Sequence, residues 1–254
     1  FFNDTATTEI YTGEDTLPTR RSSDLWVLRL GRMTGPKKPN MLPIDYQIGK
    51  HYGDQVELEH AHELWARPGR VRLLAWRNRA NIASFRNALD YLKANPDADP
   101  QTILAVRNGE KIKYGLGVNI EQALTDNLGF FLRAMKANGH TETYAFTETD
   151  ASIGTGLSLK GGGWGRGMDT LGIGFLRNSI SKDRRHYLEA GGISIFIGDG
   201  ALNYRPEQIF ETYYSLKAWK NTFVTADYQR MWNPAYNADR GPANFYAVRV
   251  HAEF

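Results

Sequence analysis

The sequence contains no cysteine, which removes disulfide frameworks, thiolate-zinc sites and a cysteine nucleophile. No run approaches the roughly 18 consecutive apolar residues that read as a membrane-crossing helix. Mean hydropathy is −0.49, as in water-soluble chains, but membrane-spanning strands escape that test because each is only half apolar. Charge of one sign is also lacking. The formal net charge is +3 and evenly scattered, which gives no footprint for nucleic acid. No G-x-S-x-G occurs, and no Ser, His and Asp group is suggested by spacing. The glycine-rich run Gly161–Gly167 lacks the Lys-Ser/Thr of a phosphate-binding loop and departs from the dinucleotide fingerprint, so it reads as a turn. His60 and His62 read as pointing to opposite strand faces, which leaves no joint metal site. The sequence therefore implies no cofactor, no metal and no enzyme.

What the chain has instead is glycine, aromatic residues and alternation: 25 Gly, 13 Tyr, 12 Phe and 6 Trp in 254 residues. Its last ten residues, Phe245 to Phe254, set Tyr246, Val248, Val250, Ala252 and Phe254 on one side at period two. Ala247, Arg249, His251 and Glu253 fall on the other, so this is a strand with one apolar and one polar face. The same period recurs at Asp54–His60, Lys113–Leu124, Leu128–Asn138, Thr147–Lys160, Leu171–Phe175, Ile209–Lys217 and Val224–Gln229. Trp26–Met33 and Val71–Ala80 are less regular strands. At Ile82, Phe85, Leu89 and Leu92 the spacing lengthens to three and four, which predicts a helix over Ile82–Ala94 inside a long connection. Gly192–Gly200 reads as a small hairpin within the irregular stretch Asn178–Pro206.

About ten strands result, and the connections between them are sorted by length. Short ones lie near 67–70, 125–127, 161–169 and 219–221, and long ones near 82–111, 139–146, 179–206 and 233–242. Strictly alternating short turns and long loops are the pattern of an antiparallel outer-membrane β-barrel. The polar face collects Glu57, Glu59, Arg72, Asn119, Glu121, Arg133, Glu148, Asp150, Glu211, Tyr213, Asp227, Gln229 and Arg249. A soluble core cannot bury that many charges without near-complete pairing. These residues are therefore the candidates to line a water-filled lumen. Glu57 with Glu59, or Glu148 with Asp150, has the spacing of a glycosidase acid pair, but nothing in the sequence specifies a buried acid, and a solvated wall is the preferred reading. A secreted β-rich domain that binds or hydrolyses sugars is the alternative; it would need a second sheet over the apolar strand faces.

Residues 1–25 stand apart. They read FFNDTATTEIYTGEDTLPTRRSSDL, with no basic start, apolar core or small-residue cleavage site of a signal peptide. They resemble translated sequencing-adapter read-through. Leaving them out removes two arginines and five carboxylates, so that 29 basic residues stand against 23 acidic ones. The expectation is a non-native or disordered segment, 1–25, followed by one β-barrel domain, 26–254, that is truncated at its N-terminus.

Several stretches then match one family in order along the chain. They include Gly117-Val118-Asn119-Ile120-Glu121-Gln122, Leu124-Thr125-Asp126-Asn127-Leu128-Gly129, Thr143-Tyr144-Ala145-Phe146-Thr147-Glu148, Trp164-Gly165-Arg166, Ile197-Gly198-Asp199-Gly200, Asn233-Pro234-Ala235-Tyr236-Asn237 and His251-Ala252-Glu253-Phe254. From about Trp26 onward the chain resembles the carbohydrate-selective porins of the OprB type. The resemblance implies an all-β barrel of roughly sixteen antiparallel strands, of which about ten are present, with a short helix in a long outside loop. It implies passive diffusion of mono- and small oligosaccharides across the outer membrane of a Gram-negative bacterium. Implied partners are carbohydrate substrates, outer-membrane lipid and lipopolysaccharide, and the barrel-assembly machinery through the C-terminal strand ending at Phe254. A homo-oligomer is consistent with it, and nucleic acid is not.

Overall fold

The computed structural model describes residues 25–36, 39–41, 43–99, 103–143 and 147–253. The expected foreign segment up to residue 24, residues 144–146 and Phe254 lie outside the described residues. Ten strands follow in order: β1 (Trp26–Thr34), β2 (Tyr52–Leu64), β3 (Arg67–Ala80), β4 (Lys111–Ala123), β5 (Leu128–Ala137), β6 (Ala151–Gly161), β7 (Arg166–Ser179), β8 (Glu207–Trp219), β9 (Thr222–Trp232) and β10 (Ala243–Ala252). They form one sheet in sequence order, every neighbouring pair antiparallel, with β1 and β10 at its two edges. The all-β antiparallel reading holds, and the ten-stranded sheet is open.

The connections sort by end as expected. Pairs β2–β3, β4–β5, β6–β7 and β8–β9 are joined by short turns at one end, and the other five connections are long. The first turn is not at Arg67–Arg70. It uses Trp65 and Ala66, with φ of 53° and 56°, and β3 begins at Arg67, with Pro68 opposite Glu63. A two-residue hairpin turn of type I′ needs φ > 0 at both positions to match strand twist, and here two non-glycine residues supply it. The expected strand at Thr147 begins instead at Ala151, and β7 begins at Arg166 after a single 3-10 turn, Gly162–Trp164. No ladder forms across Gly192–Gly200. That stretch is held by the Tyr187 hydroxyl donating to the Ile193 carbonyl (2.9 Å) and the Ser194 amide donating to Ile197 (2.8 Å).

The helix foreseen at 82–94 is α1 (Phe85–Ala94); a second, α2 (Lys182–Glu189), was not foreseen. Ser181 caps α2, its side chain accepting from the Arg184 amide at 3.1 Å. The helices bring together the only sizeable apolar core among the described residues. Ala83, Phe85, Ala88, Ile103, Val106, Ile180, Tyr187, Leu188, Ile197 and Tyr236 pack at the loop end of the sheet. Among the described residues the sheet itself has no such cover. On one face Leu30, Leu116 and Val248 are 72%, 66% and 76% exposed. Leu30, Val56, Ala75 and Leu116 stand side by side in one row across four strands. An apolar surface of this extent is not left in water by a soluble protein.

The opposite face is paved differently. Trp76 pairs with Gly115, Phe131 with Gly156 and Tyr213 with Gly172. In each pair the aromatic ring lies over the glycine of the next strand. A Cβ on Gly115 would meet the Trp76 ring at 2.6 Å, and one on Gly156 would meet the Phe131 ring at 2.6 Å. Glycine, which weakens a strand interior, is accepted here because a neighbouring ring packs against bare backbone. At Gly172 the three atoms that a Cβ would approach most closely all belong to the Tyr213 ring. Gly172→Ala is therefore expected to cost ~1–3 kcal/mol, read as a lower urea midpoint in detergent. Adding Tyr213→Ala should recover part of that loss; additive losses in the double-mutant cycle would mean that the ring is not seated on Gly172.

Candidate functional site

Strand alternation puts eleven of the thirteen sequence-derived candidates on the ring-paved face. Register aligns them in rows that cross the sheet. One row holds Glu59, Arg72, Asn119 and Arg133, and the next holds Glu121, Phe131, Glu211 and Gln229. Tyr213 and Asp227 pair in a third row. Arg249 lies further toward the turn end, opposite Thr225.

On β1 to β4 the charges form a continuous ladder of alternating sign. Arg29 donates through Nη1 to Glu57 Oε1 (2.8 Å) and Glu59 Oε2 (2.9 Å). Arg72 Nε donates to the same Glu59 oxygen (2.9 Å), and its Nη1 to Glu121 Oε1 (2.9 Å), which also accepts from Asn119 Nδ2 (3.3 Å). Glu59 and Glu121 are thereby buried among ionic partners, not hydrocarbon. Removing one rung would leave its neighbour uncompensated. Arg29 was absent from the sequence-derived set. It lies in a strand whose pattern is blurred, and its role follows from register with Glu57.

A second group stands on β8 to β10. Glu211 and Asp227 are close neighbours on adjacent strands, with the Arg249 charge near both. Small residues of β6 and β7 separate the two groups. There a hollow of about 210 Å³ is bordered by Phe131, Arg133, Ser152, Gly154, Glu211 and Gln229. The guanidinium of Arg133 sits 5.8 Å from the Phe131 ring centroid. This hollow offers donors, acceptors and an aromatic face together, the set that a polyhydroxylated molecule can use.

Glu148 and Asp150 are not on a strand. Both precede β6 and hold down the loop cap. Arg184, fully buried on α2, donates through Nη2 to Asp150 Oδ1 (3.1 Å) and through Nη1 to Glu148. Lys113 Nζ reaches Asp150 Oδ1 at 3.1 Å, and the Ser181 amide donates to Asp150 Oδ2 at 2.9 Å. Glu148 Oε1 also accepts from Ser194 Oγ (2.8 Å) and the Ile195 amide (3.1 Å). The Tyr236 hydroxyl donates to the Glu148 carbonyl at 2.6 Å, and burial pushes that phenol up. The Phe85 ring lies 4.7 Å from the Arg184 guanidinium, which ties α1 to the same hub.

His60 and His62 require a correction. They share one face, their rings stacked 5.9 Å apart, because residues two apart on a strand point the same way. Among the described residues no group of three His, Cys, Asp or Glu side chains is arranged to hold a metal ion.

Comparison with known proteins adds four findings. A family model described as the carbohydrate-selective porin, OprB family, matches residues 40–254. The high-pH structure of OprB from Pseudomonas putida superposes with a TM-score of 0.69 at 17% identity, over 92% of this chain and 57% of that one. The chain thus spans a little over half the length of that structure, and the likeness fixes the fold. The toluene transporter TodX of P. putida aligns at a TM-score of 0.38 and 12% identity, over 90% of this chain and 68% of that one, too weak a likeness to inform the fold. No curated protein matches the chain.

The cap has a pH dependence of defined sign. Burial alone would raise the Asp150 carboxyl, but Arg184, Lys113 and the Ser181 amide outweigh it and hold the group below the usual carboxylate range. A carboxylate held low contributes stability that is complete above its unfolded value, about pH 4, and is lost as pH falls through the folded value. Hydrogen exchange of the α2 amides should therefore accelerate on acidification below about pH 4, before the strand amides respond. Arg184→Gln leaves two buried carboxylates short of a partner. It should weaken the cap by ~3–5 kcal/mol, exposing α2 to protease at neutral pH.

Proposed function

The chain belongs to the carbohydrate-selective porin, OprB family, and we propose that its sheet is part of the wall of an outer-membrane channel through which mono- and small oligosaccharides diffuse passively. The observation that carries this reading is the two-sidedness of the sheet. One face is polar and ion-paired on β1 to β4, the other is mainly apolar with no second layer over it among the described residues, and the alternation keeps the two faces distinct across the sheet. On β3 the outward apolar stretch Val71–Ala75 is bounded by Arg67 and Arg77. At ~3.3 Å per residue and a tilt of about 40°, the span between those arginines suits the roughly 25 Å apolar band of an outer-membrane barrel.

Glu57, Glu59, Arg72, Asn119, Glu121, Arg133, Glu211, Tyr213, Asp227, Gln229 and Arg249 are then the pathway residues. Sugars shed part of their hydration on entry. Arginines beside carboxylates supply donors and acceptors that replace it weakly enough for release. Glu148 and Asp150 act on the pathway indirectly, by fixing the cap above it. The chemistry asked of these residues is hydrogen bonding without turnover, so the reading is of a channel and not an enzyme. A soluble sugar-binding domain would need a second sheet over the apolar face, and the described residues form one sheet.

In planar bilayers, Arg133→Ala and Glu211→Ala in the intact protein should each change single-channel conductance or sugar-dependent block several-fold. Ala226→Ser, on the apolar face beside Val248 and away from the hollow, should leave both unchanged. Unaltered conductance and unaltered sugar block in both polar variants would rule out this face as the pathway.

A further inference from the structure

The apolar face is not uniform along the strands, and its polarity is lopsided. The row Leu30–Val56–Ala75–Leu116 is followed, two residues toward the loop end, by Arg32–Asp54–Arg77–Tyr114 on the same face. Beyond that comes Thr34–Tyr52–Arg79–Ile112. Register puts Lys136, Arg177 and Arg230 on this face too, each in the loop-end half of its strand. Asp54 is the one carboxylate at an outward position in these half-strands, among the described residues. At the turn end, the strand cations on this side, Arg67 and Arg166, are each taken up by a carboxylate of their own, Asp126 and Asp169.

Two of these cations are pre-arranged. Asp54 sits between them, accepting from Arg32 Nε (2.6 Å) and Nη2 (2.9 Å) on one side and from Arg77 Nε (3.0 Å) on the other. One carboxylate thus holds two guanidinium groups side by side, leaving the cluster with an excess positive charge. The Tyr52 ring backs both, 4.2 Å from the Arg32 guanidinium carbon and 5.9 Å from that of Arg77. Both side chains remain about half exposed. A carboxylate shared by two arginines leaves N–H groups directed away from the pair, and guanidinium groups bind phosphate oxygens two at a time.

We propose that Arg32 and Arg77, bridged by Asp54, form a binding site on the outward face for the phosphate groups of a phosphorylated, multiply acylated glycolipid in the outer leaflet. The acyl chains would lie along the Leu30–Val56–Ala75–Leu116 row. This inference rests on the membrane reading above: the loop end faces outward and the apolar face meets lipid. Charge complementarity and the join between cationic and apolar rows select this occupant. A soluble anion would gain nothing from the apolar row, and a second copy of the chain would bring its own cations against these.

The test is native mass spectrometry of the purified, intact protein in detergent, titrated with lipid A carrying two phosphates. The wild type is expected to retain lipid A, and the R32Q/R77Q double variant to bind it at least tenfold more weakly. Arg67→Gln, at the other end of the face, should bind like the wild type. Dephosphorylated lipid A should bind the wild type as weakly as the diphosphate form binds the double variant, and inorganic phosphate at the same concentration should not compete. Equal affinity in wild type and double variant, or a dimer that lipid A does not displace, would overturn the site. Bilayer insertion and conductance, measured in parallel, separate the two levels. A double variant that inserts and conducts normally but has lost lipid A supports the site. A wild type that never inserts overturns the membrane reading and the site with it.

Discussion

The sheet of this protein is mainly polar on one face and mainly hydrocarbon through the middle of the other, and among the described residues no second layer covers either face. Everything else follows from that constraint. A soluble sandwich would stack its apolar faces and leave the charges outside. Here the apolar rows stay open, while the charges are drawn together into ladders such as Arg29–Glu59–Arg72–Glu121. A sheet built this way is stable where its two faces meet two different solvents. An antiparallel meander suits such a pattern, because every strand pairs with its neighbour in sequence and alternation then keeps the two faces apart across the sheet.

The conventional core lies elsewhere, in the cap that α1, α2 and the long connections build at one end. Its centre is ionic as well as apolar. Arg184 is fully buried, gripped by Glu148 and Asp150 and faced by Phe85. A buried charge of this kind is a poor source of net stability but a strict positioning device, because any displacement leaves a carboxylate unpaired. It fixes how four connections sit at the loop end of the sheet. The wall and the cap therefore divide the work between alternation on one side and a few buried ions on the other.

Most of the wall was legible in the sequence, and the cap was not. Period two is a local signal, so the phase of Glu121 against Ile120, or Arg249 against Val248, could be read directly and agrees with the observed register. Boundaries were harder. The alternation of Glu148, Asp150 and Ser152 runs past the true start of β6, because residues that anchor a loop can keep a strand's parity without joining its ladder. Pro68 and Gly69 suggested a turn that Trp65 and Ala66 make, since non-glycine residues rarely adopt positive φ. The helix α2, Lys-Asp-Arg-Arg-His-Tyr-Leu-Glu, has too few apolar residues to declare a period. Its burial depends on carboxylates more than thirty residues away along the chain, a relation that no local pattern carries.

The absence of cysteine from the chain permits the most direct test of two-sidedness. Single cysteines are placed at adjacent residues on opposite faces, Leu132→Cys with Arg133→Cys and Val248→Cys with Arg249→Cys, and the protein is reconstituted in lipid vesicles. A charged, water-soluble thiol reagent should modify R133C and R249C and leave L132C and V248C unreacted, and a permeating sugar at high concentration should slow the reaction at R133C. Equal reactivity at neighbouring positions, or reaction at the apolar members alone, would contradict a sheet that separates lipid from a water-filled passage.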